Sequence, residues 1–243
     1  VVIDADAAQR EYAYRFEWGL DGLDAVVADA AVLVVVDVLR FSTVVDIAVS
    51  RGAAVVPVVT GDPASDAAGD VIGLSPAGLA PVLAGRTVRL RSDNGAALAV
   101  RAAEWHRRQG VTVVAGSLRN ATAVAAAARR IRPEGPVAVV AAGERWPGGA
   151  LRPGVEDLLG AGAVLAALDP SGSVSAPRCS PEAAAARAAF TGARYRLRDA
   201  VAGSASAREL LRRGRNGDLD WAAALDVSPA VPLWSDGAFR LLR

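Results

Sequence analysis

The residues best suited to chemistry follow an apolar run. Val32-Leu33-Val34-Val35-Val36 leads into Asp37, with Arg40 three positions on and Ser42-Thr43 directly behind. A carboxylate placed after such a run is costly to bury unless it is paired or binds something. Three further polar sets recur downstream, each after another apolar run: Asp93-Asn94, Ser117 with Asn120, and Glu144. A fourth, Glu156-Asp157, opens a segment with helical periodicity. Carboxylates of this kind can hold a hard cation such as Mg²⁺, and an arginine can clamp an oxyanion. Hydroxyls and amides near helix starts add N–H and O–H donors for phosphate oxygens. Glu156-Asp157 has two readings, acids that complement a helix dipole or ligands for a metal and its water.

Composition removes competing chemistries. All 27 basic residues are arginine, so a Schiff-base lysine and a P-loop lysine are both excluded. The single histidine, His106, rules out a multi-histidine metal site, and it falls on the polar end of a predicted helix. The single cysteine, Cys179, rules out an internal disulfide; it lies between prolines and has no nucleophile motif around it. A net charge of +1 provides no general drive toward nucleic acid, and the arginines between Arg178 and Arg215 read as a solvated helical face. No apolar stretch is long enough to span a membrane, and no signal-peptide pattern opens the chain. A cytoplasmic protein is expected, without a nucleic-acid or membrane partner. The Gly-rich run Gly143–Gly149 lacks the dinucleotide fingerprint, which argues against a nicotinamide cofactor.

Alternating strand and helix patterns must position these residues. After an amphipathic opening at Glu11–Leu23, strands are expected near 32–36, 54–59, 71–72, 87–90, 111–115 and 137–142. Helices are expected from Ser42 to about Arg51, then to about Gln109 and Ile131, and over Val155–Leu168. Thr60–Gly69 reads as a loop and Pro170–Pro181 as a linker, followed by Arg/Ala helices and terminal strands after Val231. This order implies a largely parallel or mixed sheet covered on both faces, with the polar sets along one rim. Residues 1–243 are expected to form one domain, with a helical C-terminal portion from about 181.

Several short motifs, in order, resemble the 2-phosphosulfolactate phosphatase family. They are Val35–Thr43, Arg51-Gly52-Ala53 with Val55–Val58, Asp93-Asn94-Gly95, Gly116–Ala121, Ala142-Gly143 and Glu156–Ala163. Ser75-Pro76 also matches, while Leu74 and the residues around Asn94 depart from the family pattern. The resemblance implies a three-layer α/β/α sandwich and Mg²⁺-dependent hydrolysis of a small anionic phosphate monoester. Asp37 would bind Mg²⁺. Glu144, Glu156 and Asp157 would be further ligands or the group that activates water, with Glu156 assigned to the catalytic set and Glu144 and Asp157 to the metal. Arg40 would clamp an anionic oxygen, and Ser42, Thr43, Asn94, Ser117 and Asn120 would contact substrate. Direct attack by Asp37 and assembly into a homo-oligomer both stay open. The departures motivate an alternative: a non-catalytic protein that binds phosphate esters on the same rim.

Overall fold

The computed structural model describes residues 6–61, 70–79, 84–171 and 178–242. The central layer is a nine-stranded sheet. In chain order its strands are β1 (Tyr14–Trp18), β2 (Val32–Val36), β3 (Ala54–Val58), β4 (Asp70–Ile72), β5 (Thr87–Arg91), β6 (Thr112–Gly116) and β7 (Val137–Ala141). A small hairpin, β8 (Glu144–Arg145) and β9 (Leu151–Arg152), stands apart, and β10 (Pro232–Ser235) and β11 (Ala238–Leu241) close the chain. The sheet order is β1-β7-β2-β6-β10-β11-β3-β5-β4. Pairing is parallel except around the β10–β11 hairpin, which bridges the two halves with antiparallel contacts to β6 and β3. The sheet is therefore mixed, but mostly parallel.

Residues 32–36 and 137–141 are buried along their whole length, which explains their unbroken β-branched and small apolar runs. One face of the sheet is covered by α1 (Gly19–Val26), α2 (Phe41–Ser50) and α3 (Gly95–Gln109), whose Val26, Val44, Val45, Leu98 and Ala102 share one core. The other face carries α4 (Ala121–Ile131), α5 (Val155–Leu168) and α6 (Pro181–Ala193). The tail helices α7 (Leu197–Ala202), α8 (Ala205–Arg212) and α9 (Asn216–Ala222) follow. Three layers result, as the strand–helix alternation predicts. Among the described residues no helix is long and apolar enough to cross a membrane.

The opening differs from expectation. Within the amphipathic opening, Tyr14–Trp18 is a strand, where none is expected before 32–36, and it pairs in parallel with β7. Its alternation explains the difference: Tyr14 and Phe16 enter the core beneath α6, while Arg15 turns to the other face and pairs with Asp29. A five-residue strand with aromatics at alternate positions can be mistaken for a helix face in a short window. Most of the Thr60–Gly69 loop and half of the Pro170–Pro181 linker fall outside the described residues.

Candidate functional site

The site is built at the carboxyl end of β2. Asp37 is buried there, and its Oδ1 accepts the Phe41 N–H at 3.0 Å, so the carboxylate lies against the first turn of α2. Ser42 fixes this turn from below: its Oγ donates to the Asp37 carbonyl at 2.7 Å and accepts the Asp37 N–H at 3.0 Å. Thr43 Oγ1 donates to the Val38 carbonyl at 2.8 Å. The Leu39–Arg40 peptide inside the turn is cis. From the opposite side comes Gly95, the first residue of α3. A Cβ built there would stand 2.4 Å from Asp37 Oδ2 and 2.5 Å from Phe41 Cβ, so only glycine lets the start of α3 approach these side chains so closely.

Behind Asp37, α5 supplies two buried acids. Asp157 Oδ1 accepts the Val38 N–H at 2.7 Å and Oδ2 accepts the Gly143 N–H at 2.9 Å, stapling the ends of β2 and β7 to the helix start. Glu156, 2 % exposed, folds back over Gly154. In front, Glu144 accepts hydrogen bonds from Asn94 Nδ2 at 2.9 Å and Ser206 Oγ at 3.2 Å.

Burial and neighbouring charge raise the pKa values of Asp37, Glu144 and Asp157. Burial, and then the charges of Glu144 and Glu156, push Asp37 up to about 7 against the hydrogen bond from Phe41. Burial and the Glu156 charge raise Glu144. Burial, Asp37 and Glu156 raise Asp157 well above the usual carboxylate range. Like charges gathered in a desolvated space favour a cation or a proton among them. Among the described residues, no set of three or more His, Cys, Asp and Glu side chains stands ready-made to hold a metal. The donor chemistry still fits Mg²⁺ of the kind held by one or two carboxylates and completed by substrate oxygens and water.

A cavity of about 280 Å³ opens over Asp37 and Glu144. Its walls come from three places: Arg40 after β2, Ser92–Asn94 after β5, and Ser206, Glu209, Leu210 and Arg213 from α8 and its end. Arg40 is engaged by Asp218, a buried residue of α9 that also accepts from Ser75 Oγ at 2.6 Å. Arg213 pairs with Glu209 at 2.6 Å.

The structure thus brings Asp37, Arg40, Asn94 and Glu144 to one cleft, with Glu156 and Asp157 directly behind it. The other four expected substrate contacts do not line it. Ser42 and Thr43 hold the β2–α2 turn through its backbone. Ser117 and Asn120 are fully buried: Asn120 Oδ1 accepts the Ser117 N–H at 2.8 Å, and its Nδ2 donates to the Ala230 carbonyl at 3.1 Å. They tie β6 to the chain entering β10, and a polar residue after a strand served capping here, not binding. Missing from the sequence reading were Ser206, Arg213 and Asp218, since nothing in tail periodicity shows which helix folds back over the rim. Asp46 and Arg119, a buried pair at 2.8 Å joined by Ser228, were also missed. His106 bonds the Val111 carbonyl at the end of α3. Cys179 is buried and its thiol is pushed up to about 11, chiefly by burial and then by Asp169, so neither residue is poised for catalysis.

A family model described as 2-phosphosulpholactate phosphatase matches residues 66–237. The chain belongs to that family. The match takes in Asn94, Glu144, Glu156, Asp157 and the tail helices, and begins after the β2–α2 turn. The assignment of Asp37 and Arg40 to the same site therefore rests on geometry, above all on the fit of Gly95 against Asp37. No curated protein matches the chain.

Proposed function

We propose that this member of the phosphatase family hydrolyses a small anionic phosphate monoester with the help of Mg²⁺ in the cleft above Asp37. The observation that carries the reading is the crowding of Asp37, Glu144 and Glu156 at a strand end, beside two arginines and within a family of phosphatases. Asp37 and Glu144 face the cavity and would hold the ion; when bound, it neutralises phosphate charge. Glu156 does not line the cavity. It acts through charge, raising the proton affinity of both carboxylates. Arg213, and Arg40 where it turns from Asp218, would orient phosphate oxygens. Asn94 holds Glu144 in place. Water attacks phosphorus and passes one proton to a carboxylate of this cluster; as the ester P–O bond breaks, the cluster returns a proton to the leaving oxygen, and the alcohol and inorganic phosphate are released.

The test is phosphate release from a panel that begins with 2-phosphosulfolactate, with Mg²⁺ and with EDTA, using Asp37→Asn as control. A second reading is favoured by one observation. Leu74, Ser92 and Asp93, where the sequence departs from the family pattern, line the cleft, which fits a protein that binds esters without turning them over. Tight ester binding without phosphate release would select it.

A further inference from the structure

Arg40 and Asp218 stand 178 positions apart in the chain, and their contact is one-sided. Arg40 lines the cleft above Asp37, whereas Asp218 does not; it is 1 % exposed and meets Arg40 through Nη1 alone. Among the described residues no acceptor takes the Nε or Nη2 of Arg40. Arg15 shows the contrast. Its Nε, Nη1 and Nη2 are all spent, on the Tyr12, Val26 and Arg10 carbonyls and on Asp29, as in a purely structural arginine.

Asp218 is itself held. Its Oδ1 accepts from Ser75 Oγ at 2.6 Å and from the Ala77 N–H at 3.2 Å, so the segment carrying Leu74, a residue of the cleft wall, is tied to the same carboxylate. The helix that bears it, α9, is anchored in two ways. Leu219 and Ala222 enter the core, and the Trp221 carbonyl accepts Arg119 Nη1 at 3.1 Å, with the Arg119 guanidinium 5.0 Å from the Trp221 ring centre. Arg119 pairs through Nε with Asp46 at 2.8 Å. Asp46 belongs to α2, the helix that starts directly after Arg40, so Asp218 and Arg40 are fixed to one frame.

From this arrangement we infer that Asp218 is a positioning residue: it holds Arg40 by Nη1 and keeps the Nε–Nη2 edge toward the cleft, where that edge takes two oxygens of the substrate's phosphoryl group. The inference rests on the phosphatase reading for the identity of the anion. A guanidinium edge matches two oxygens in parallel, and an arginine fixed beforehand loses less rotamer freedom on gripping them. That freedom is worth up to about thirtyfold in affinity when the side chain is unheld. A counter-ion that merely competed for Arg40 would have the opposite effect, so the sign of the change is decisive.

The test is calorimetric titration with inorganic phosphate, with Mg²⁺ present, of the parent, Asp218→Asn, Arg40→Gln and the double variant, beside kcat/KM for 2-phosphosulfolactate. Circular dichroism and melting curves establish that each is folded. The expected result is that Asp218→Asn weakens phosphate binding about tenfold. Once Arg40 is replaced by glutamine the same change should cost less than about twofold, because its effect passes through Arg40. A role confined to folding would give the same loss in both backgrounds. Guanidinium chloride below denaturing concentration should also restore phosphate binding to Arg40→Ala, but not to Arg40→Ala with Asp218→Asn; sodium chloride at the same concentration should restore neither. The rescue of Arg40→Ala, which keeps Asp218, decides the matter should Asp218→Asn be too unstable to titrate. Tighter phosphate binding by Asp218→Asn, an equal loss in both backgrounds, or no rescue by guanidinium overturns the inference and leaves the phosphatase reading standing. Phosphate binding that follows the expected pattern with no release from any ester does the reverse: the clamp holds and hydrolysis falls.

Discussion

Replacing Asp37 by asparagine should make the protein more stable at pH 8 while removing its activity. In the fold Asp37 keeps its proton until about 7, whereas in the unfolded chain it loses it near 3.8. Between those values the folded state binds a proton that the unfolded state has released, so stability falls as pH rises through the window. At about 1.4 kcal/mol per tenfold, the penalty is roughly 4 kcal/mol above neutrality and under about 1 kcal/mol near pH 4. Asparagine carries no such penalty. It does turn an amide toward the backbone at Phe41 or Gly95, and a lost acceptor there costs about 1–3 kcal/mol. The net gain at pH 8 is about 2 kcal/mol, a Tm increase of about 4–8 °C for a chain of this size, and near pH 4 the sign reverses. Calorimetric melts of both proteins at the two pH values measure this directly. Phosphate release should fall roughly a hundredfold or more, as expected when a charged contact to a transition state is lost. Equal destabilisation of the variant at pH 8 and pH 4 would refute the reasoning, because no ionic penalty would then exist at Asp37.

Other perturbations have equally definite outcomes. Gly95→Ala should destabilise by about 1–3 kcal/mol and lower activity in the folded fraction, read by denaturant melts beside assays, because its Cβ would overlap Asp37 and Phe41. Asp218→Ala should cost about 3 kcal/mol by urea unfolding, since it strips Arg40 and Ser75 of a buried partner. The Mg²⁺ concentration needed for half-maximal release should rise about tenfold per pH unit below 7, where Asp37 takes up a proton in competition with the ion. Cys179 should resist a thiol reagent at pH 8 in the native protein and react once in denaturant, because it is buried and its thiol is pushed up to about 11.

The layers were legible because their physics is local. Continuous β-branched runs at 32–36 and 137–141 announce strands covered on both faces, and the alternation with helices leaves few topologies. The carboxylates at 37, 144, 156 and 157 were legible as a group because each directly follows a strand or opens a helix. What failed was the step from location to orientation. Ser117 and Asn120 occupy the same kind of position as Asp37 and Asn94, yet they turn inward to tie down β10, which depends on where a strand over one hundred residues later inserts. The cleft wall from α8, and the α9 acid that engages Arg40, were hidden for the same reason. Arg213 and Asp218 sit in an arginine-rich tail whose pattern is that of any solvated helix until its fold over Arg40 is known. Strand β1 was lost because five residues of alternating aromatics and charges are too short to separate the two periods.

The most direct test of the central claim is phosphate release from 2-phosphosulfolactate and simple phosphate monoesters, measured with Mg²⁺, with EDTA, and with Asp37→Asn. The account predicts release that requires the ion, stops with EDTA and is lost in the variant while the fold persists. Release that persists in EDTA, or a fully active Asp37→Asn protein, would contradict it.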